Sequence, residues 1–113
     1  MIKNICQIPI KFKTENKSIF DLLKETGYFE NPDSVTIELI EEYLNKNQNI
    51  IHDWLIYSQD KRTFSGWYII EKDKSIIVGY FNNGKREKEK EFNNLVKACS
   101  VFIVNEINSI KNR

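Results

Sequence analysis

A chain of 113 residues makes one domain, and at that size folding removes roughly two-thirds of the unfolded chain's surface from water. Hydrophobic residues make up 41% and Gly plus Pro fill only six positions, which excludes the disordered and collagen-like classes. The formal charge of +1 excludes a uniformly basic protein but hides an uneven layout. Residues 1–24 carry five Lys against two acids, and residues 46–113 carry twelve basic residues against eight acids. Between them, positions 25–45 hold Glu25, Glu30, Asp33, Glu38, Glu41 and Glu42 with no Lys or Arg at all. A field of one sign over such a stretch can steer a basic partner even when the whole chain is nearly neutral. Cys6 and Cys99 form neither a C-x-x-C pair nor part of a larger set, so two reduced structural thiols and a cytoplasmic protein are expected. The N-terminus has no continuous apolar h-region and no later run approaches 18 apolar residues, so neither secretion nor membrane insertion is indicated.

The first predicted element is an extended edge segment over 7–13, where Ile8, Ile10 and Phe12 alternate with polar residues and Pro9 cannot donate to a central ladder. Ser18 followed by Asp21 resembles a capping box, with Ile19, Leu22 and Leu23 behind it and Gly27 placed to end a short helix. After a turn over 28–33, Ser34 is the expected cap of a second helix. Its apolar stripe is Val35, Ile37, Leu39, Ile40, Tyr43 and Leu44, with Glu38, Glu41 and Glu42 facing outward. The polar run Asn45 to Asn49 separates it from a third helix on which Ile50, Ile51, Trp54 and Leu55 recur, Trp54 being the natural core anchor.

From Ser65 the period changes to that of strands. Residues 66–71 and 75–81 predict an antiparallel hairpin turned at Lys72-Asp73-Lys74 and closed by Asn82-Asn83-Gly84. Both of its faces are apolar, since Trp67, Ile69, Ile76, Val78 and Tyr80 cannot share one side with Tyr68, Ile70, Ile77 and Phe81. One face packs on helices, and the other is either covered or adhesive. The alternating charges of 85–91 suit a solvated strand or an entry into the last helix. That helix is marked by Phe92, Leu95, Val96, Cys99, Phe102, Ile103, Ile107 and Ile110 at three- and four-residue spacing. The expected architecture is a single α+β domain over 1–113, a hairpin-based antiparallel sheet against about four helices including a long C-terminal one.

Little in the chain points to catalysis. His52 is the only histidine, so a two-imidazole acid and base pair is excluded by count, and Asp53 diverges from it by about 100° if both lie on a helix. His52, Cys6 and Cys99 lack a metal-ligand spacing, and no phosphate-binding or nucleophile-elbow pattern occurs, so no catalytic residue, metal or cofactor is expected. A basic surface for nucleic acid would draw on Lys61, Arg62, Lys85, Arg86, Lys88 and Lys90 near Phe64 and Tyr68, but Glu87, Glu89 and Glu91 interrupt it.

The densest stretch is 52–68, with Trp54, Trp67, three other aromatics and five ionisable groups. The run from Asp53 to Tyr68, followed by Val78-Gly79-Tyr80-Phe81 and the helix around Ala98 to Ile103, resembles small bacterial immunity-protein domains of polymorphic toxin and contact-dependent growth-inhibition systems. The resemblance extends loosely from about Ser18 to Ile110 and implies a cytosolic protein that binds and neutralises a cognate toxin domain by stoichiometric inhibition, without enzymatic activity. Nuclease toxins carry basic grooves, so the implied contacts are carboxylates at Glu30, Asp33, Glu38, Glu41 and Glu42, with Trp67, Tyr68 and Tyr80 as anchors. Asp60 joins this set, although pairing with Arg62 to fix the helix-to-strand corner would equally explain it. The competing class is a small regulatory or nucleic-acid-binding protein using Lys61, Arg62 and 85–90.

Overall fold

Among the described residues, 1–61 and 65–113, the computed structural model has six α-helices and one three-stranded antiparallel sheet. The α+β class and the long C-terminal helix agree with the sequence reading, but the chain has more helices than the four expected. The difference lies at the N-terminus, where residues 7–13 are not a strand. Helix α1 spans Ile2–Cys6 and helix α2 spans Ile8–Thr14. Pro9 falls in the first turn of α2, where its missing N–H had no helical partner to lose. Ile5, Cys6, Ile8 and Pro9 are the buried residues, a helical spacing, whereas Ile10 and Phe12 of the supposed strand face are exposed.

Helix α3, Ile19–Glu25, starts as its sequence predicts: the Asp21 N–H donates to Ser18 Oγ at 3.1 Å, and Gly27 at φ +87° follows its end. Ser34 does not cap the next helix. It ends a short 3₁₀ turn, Pro32–Ser34, and the cap of α4, Ile37–Lys46, is Thr36, whose Oγ1 accepts from the Leu39 N–H at 3.2 Å. Helix α5, Asn49–Asp60, buries Ile50, Ile51, Trp54 and Ser58. Trp54 is 1% exposed, donates its indole N–H to the Cys6 carbonyl at 2.9 Å, and meets Tyr57 and Phe102 edge-on.

The sheet runs β1 (Gly66–Lys72), β2 (Ser75–Asn82), β3 (Lys85–Phe92), in that spatial order. Asn83 and Gly84, at φ +52° and +80°, make the tight β2–β3 turn that an Asn-Gly pair favours. Register holds from Gly66↔Phe81 to Lys72↔Ser75 on one side and slips on the other, where Lys88 and Glu89 both oppose Gly79. Helix α6, Leu95–Lys111, crosses the sheet and packs its other side against α4, burying Phe102, Ile103, Ile107 and Ile110. Helix α5 closes the β1 edge: Ser58 Oγ accepts from the Ile69 N–H at 2.9 Å and donates to the Ile69 carbonyl at 3.2 Å. One hydroxyl thus satisfies two backbone groups that an edge strand would leave open. No helix among the described residues is long and apolar enough to cross a membrane.

Candidate partner-binding surface

The acidic block is divided by the helical period. On α4, Ile40 and Leu44 turn into the core, so Glu38 and Glu42, four residues apart, stand together on the outer side. Glu41 leans toward α6 and accepts from Lys97 Nζ at 3.0 Å. Glu42 lies 3.9 Å from Lys46, a pair so exposed that it contributes little. Glu38 sits in the first turn of α4, where the helix dipole favours a carboxylate. Among the described residues no cation lies within 4.0 Å of Glu30, Asp33 or Glu38. Leu39 is 41% exposed and lines a shallow hollow with Glu42, which puts an apolar side chain next to that carboxylate. Burial, followed by the nearby Asp33 charge, pushes the Tyr28 hydroxyl above its ordinary pKa.

The aromatic candidates are separated by the pleat. Trp67 pairs with Tyr80 across β1 and β2 on the side facing α6, their rings 5.2 Å apart and edge to face. Tyr68 points to the opposite side, is 4% exposed, and donates its hydroxyl to Glu89 Oε2 at 2.5 Å. Desolvation first, and then Glu89, pushes the Tyr68 hydroxyl up to about 12. Arg86 lies over both the Tyr68 and Phe81 rings, at 5.6 and 5.8 Å. On the second apolar face of the hairpin, Arg86 and Glu89 of β3 fold over Tyr68 and Phe81, so Tyr68 belongs to that cover instead of sharing a surface with Trp67 and Tyr80.

Helix α6 links the acidic helix to the aromatic pair. Lys97, Val101 and Asn105 recur every four residues along it; Lys97 reaches α4, and the other two line a hollow of about 340 Å³ with Trp67, Val78, Lys88 and Lys90. The lysines of this hollow escape a composition-based reading because their charge cancels against Glu87, Glu89 and Glu91. Strand alternation is the signal that separates them: Lys90 opposes Val78 on the α6 side, and Glu91 opposes Ile77 on the other.

The remaining candidates lie elsewhere. Asp60 is exposed at the end of α5, on the rim of a second hollow of about 460 Å³ whose apolar wall includes Pro9, Phe12, Ile19 and Ile56. Asp53 lines the same hollow, 3.8 Å from Lys13, whereas its neighbour His52 is exposed on a different hollow between α5 and the Tyr68 side of the sheet. The two side chains do not converge. Lys61 is no surface cation: its ammonium donates at 2.7 Å to Glu106, which is 1% exposed and also accepts from the Tyr57 hydroxyl at 2.5 Å. Burial lowers the Lys61 pKa against the pull of Glu106, and raises that of Tyr57. Arg62 and Phe64 lie outside the described residues, so the proposed Asp60–Arg62 pair does too. Both cysteines are free and buried, and burial pushes the Cys6 thiol up to about 12. Among the described residues no group of three or more His, Cys, Asp or Glu side chains converges as a metal site would require.

Fold and surface together define a small α+β domain in which α6 runs between the acid-bearing helix α4 and the part-exposed Trp67–Tyr80 pair. No family model, curated protein or solved structure matches the chain.

Proposed function

We propose that this chain is a protein-binding domain of the immunity type, which neutralises a cognate toxin domain by occupying a basic surface on it. The observation that carries the reading is the 25–45 block, which has no Lys or Arg: among the described residues Glu30, Asp33 and Glu38 have no cation within 4.0 Å, and the exposed Leu39 lies beside Glu42. Carboxylates beside an apolar contact suit a cationic protein groove, where charge raises the association rate and apolar burial holds the complex. A nuclease is the toxin class whose substrate groove best matches that charge. The competing nucleic-acid reading loses one of its cations, because Lys61 is committed to Glu106.

The test is a binding and inhibition titration of the purified domain against the toxin domain encoded by the adjacent upstream gene. A one-to-one complex that abolishes toxin activity is expected. Glu38→Lys combined with Glu42→Lys should weaken it about 10–100-fold, mainly through a slower association rate, while stability falls by only about 1 kcal/mol and the domain stays folded. Failure to bind that domain, together with recovery of nucleic acid but no protein from a host lysate, would replace this reading with the nucleic-acid one.

A further inference from the structure

The hollow beside Trp67 is cationic for a reason built into β3. Glu89 is occupied by the Tyr68 hydroxyl and Glu91 by the Ser75 hydroxyl on the far side of the sheet, while Glu87 is held at one end by the Asn82 amide at 3.3 Å. The lysines of the strand remain on the near side. Lys88 lies 5.6 Å from the centre of the Tyr80 ring, Lys90 stands over Val78, and no carboxylate lies within 4.0 Å of either ammonium among the described residues. The floor between them is apolar, with the Asn105 amide at its margin. β3 is also the outer strand of the sheet, so one side of the hollow opens at a strand edge.

We propose that this hollow docks an extended acidic segment of a partner protein, with an apolar side chain set between Trp67 and Val101 and flanking carboxylates on Lys88 and Lys90. Charge complementarity selects the occupant, and the strand edge selects its conformation, because a segment lying along β3 presents every second side chain to the hollow. A nucleic-acid strand fits less well. Glu87, opposite Tyr80 and so on the hollow's side of the sheet, opposes a continuous row of phosphates. Trp67 and Tyr80 stand edge to face at 72°, and so offer no parallel platform for successive bases. This docking mode extends the partner-binding reading above: the same partner would be basic where it meets α4 and acidic where it crosses α6 to β3.

The experiment uses the whole domain, labelled with ¹⁵N, and the peptide acetyl-Thr-Glu-Thr-Phe-Thr-Glu-Thr-amide, whose Glu, Phe and Glu share one side when extended. Amide and indole shifts are followed up to about 5 mM peptide, which reports any site with a Kd of about 1 mM or tighter. The Trp67 indole and the amides of Lys88, Lys90, Val101 and Asn105 should move, while the enclosed Trp54 indole serves as the internal control. Lys88→Gln with Lys90→Gln should weaken binding at least fivefold without changing the melting temperature, and the peptide with Lys in place of Glu should not bind. An absence of shifts, equal binding of the lysine peptide, or saturation of the same signals by oligothymidylate in preference to the acidic peptide would each overturn the proposal. Loss of peptide binding with intact capture of a basic toxin domain would remove this site alone, and the converse would remove only the α4 reading.

Discussion

Gly79 tests the covered side of the sheet through a change of sign. A Cβ at this position would sit 2.5 Å from Tyr68 Oη, 2.7 Å from Tyr68 Cζ and 3.0 Å from Glu89 Cγ. Gly79 does not have the positive φ found at Gly27, Gly66 and Gly84, so alanine meets no backbone strain there. By itself, then, Gly79→Ala should stabilise the strand by about 0.5–1 kcal/mol, because glycine loses more freedom on folding. The steric conflict opposes that gain with about 1–3 kcal/mol of overpacking. If the ring is driven off Glu89, about 1.5–3 kcal/mol of charge-assisted hydrogen bonding is lost as well. Gly79→Ala should therefore destabilise the domain by about 1–3 kcal/mol, a fall of roughly 4–12 °C in melting temperature at this chain length. Tyr68→Leu removes the hydroxyl and outer ring atoms that cause the conflict, and in that background the same substitution should be stabilising by about 0.5 kcal/mol. Thermal and urea unfolding of the four proteins, followed by circular dichroism, complete the double-mutant cycle. Equal effects of Gly79→Ala in the two backgrounds would refute the assignment of Tyr68 to the strand it is described as shielding.

Ser58→Ala should cost about 1–3 kcal/mol, since the Ile69 N–H and carbonyl lose their common partner, and the Ile69 amide should exchange faster with solvent in hydrogen-exchange measurements. Thr36→Ala should cost about 1 kcal/mol in urea unfolding, whereas Ser34→Ala should leave stability nearly unchanged, which locates the true start of α4. Stability should decline as pH rises above about 9, because Cys6 and Tyr68, whose ordinary values are 9.0 and 10.0, are both raised to about 12 in the fold. Over that window the unfolded chain releases these protons while the folded one retains them. Tyr57 and Cys99 act in the same direction, while Lys61, lowered by burial, opposes them. A urea midpoint that stays constant or rises between pH 8 and 11, by order of magnitude three pH units, would contradict this balance.

What could be read from the sequence was whatever local chemistry decides. The α3 cap, the two-sided hairpin and the amphipathic α6 each have a signature within a few residues, and each occurs where the pattern puts it. Residues 7–13 misled because Ile8, Ile10 and Phe12 alternate, yet burial of Ile5, Cys6 and Ile8 against α4 and α5 outweighs that alternation, and a proline tolerated at an edge is equally tolerated in a helix's first turn. Ser34 and Thr36 are both competent caps, and only the 3₁₀ turn at Pro32 decides between them. The pleat, already legible in the hairpin pattern, separates Trp67 and Tyr80 from Tyr68, and only the pairing with β3 shows what Tyr68 does on its side. Glu106 gave no local signal, since its partners Tyr57 and Lys61 are 49 and 45 positions away.

The charge order of β3 also decides how the domain meets its own copies. Two molecules joined edge to edge by antiparallel β3 strands, about a twofold axis normal to the sheet, would keep like faces together. Lys90 would then meet Lys90 or Lys88 of the second copy, and Glu91 would meet Glu91 or Glu89. Like charges directly opposite across strands repel, so the registers centred on Lys90 or Glu89 are penalised on both faces, and the bulge at Lys88 breaks the ladder further. An alternation that is neutral in sum thus makes the strand discriminating: it resists growth of the sheet into fibres at high concentration while leaving the edge open to a strand of inverse polarity.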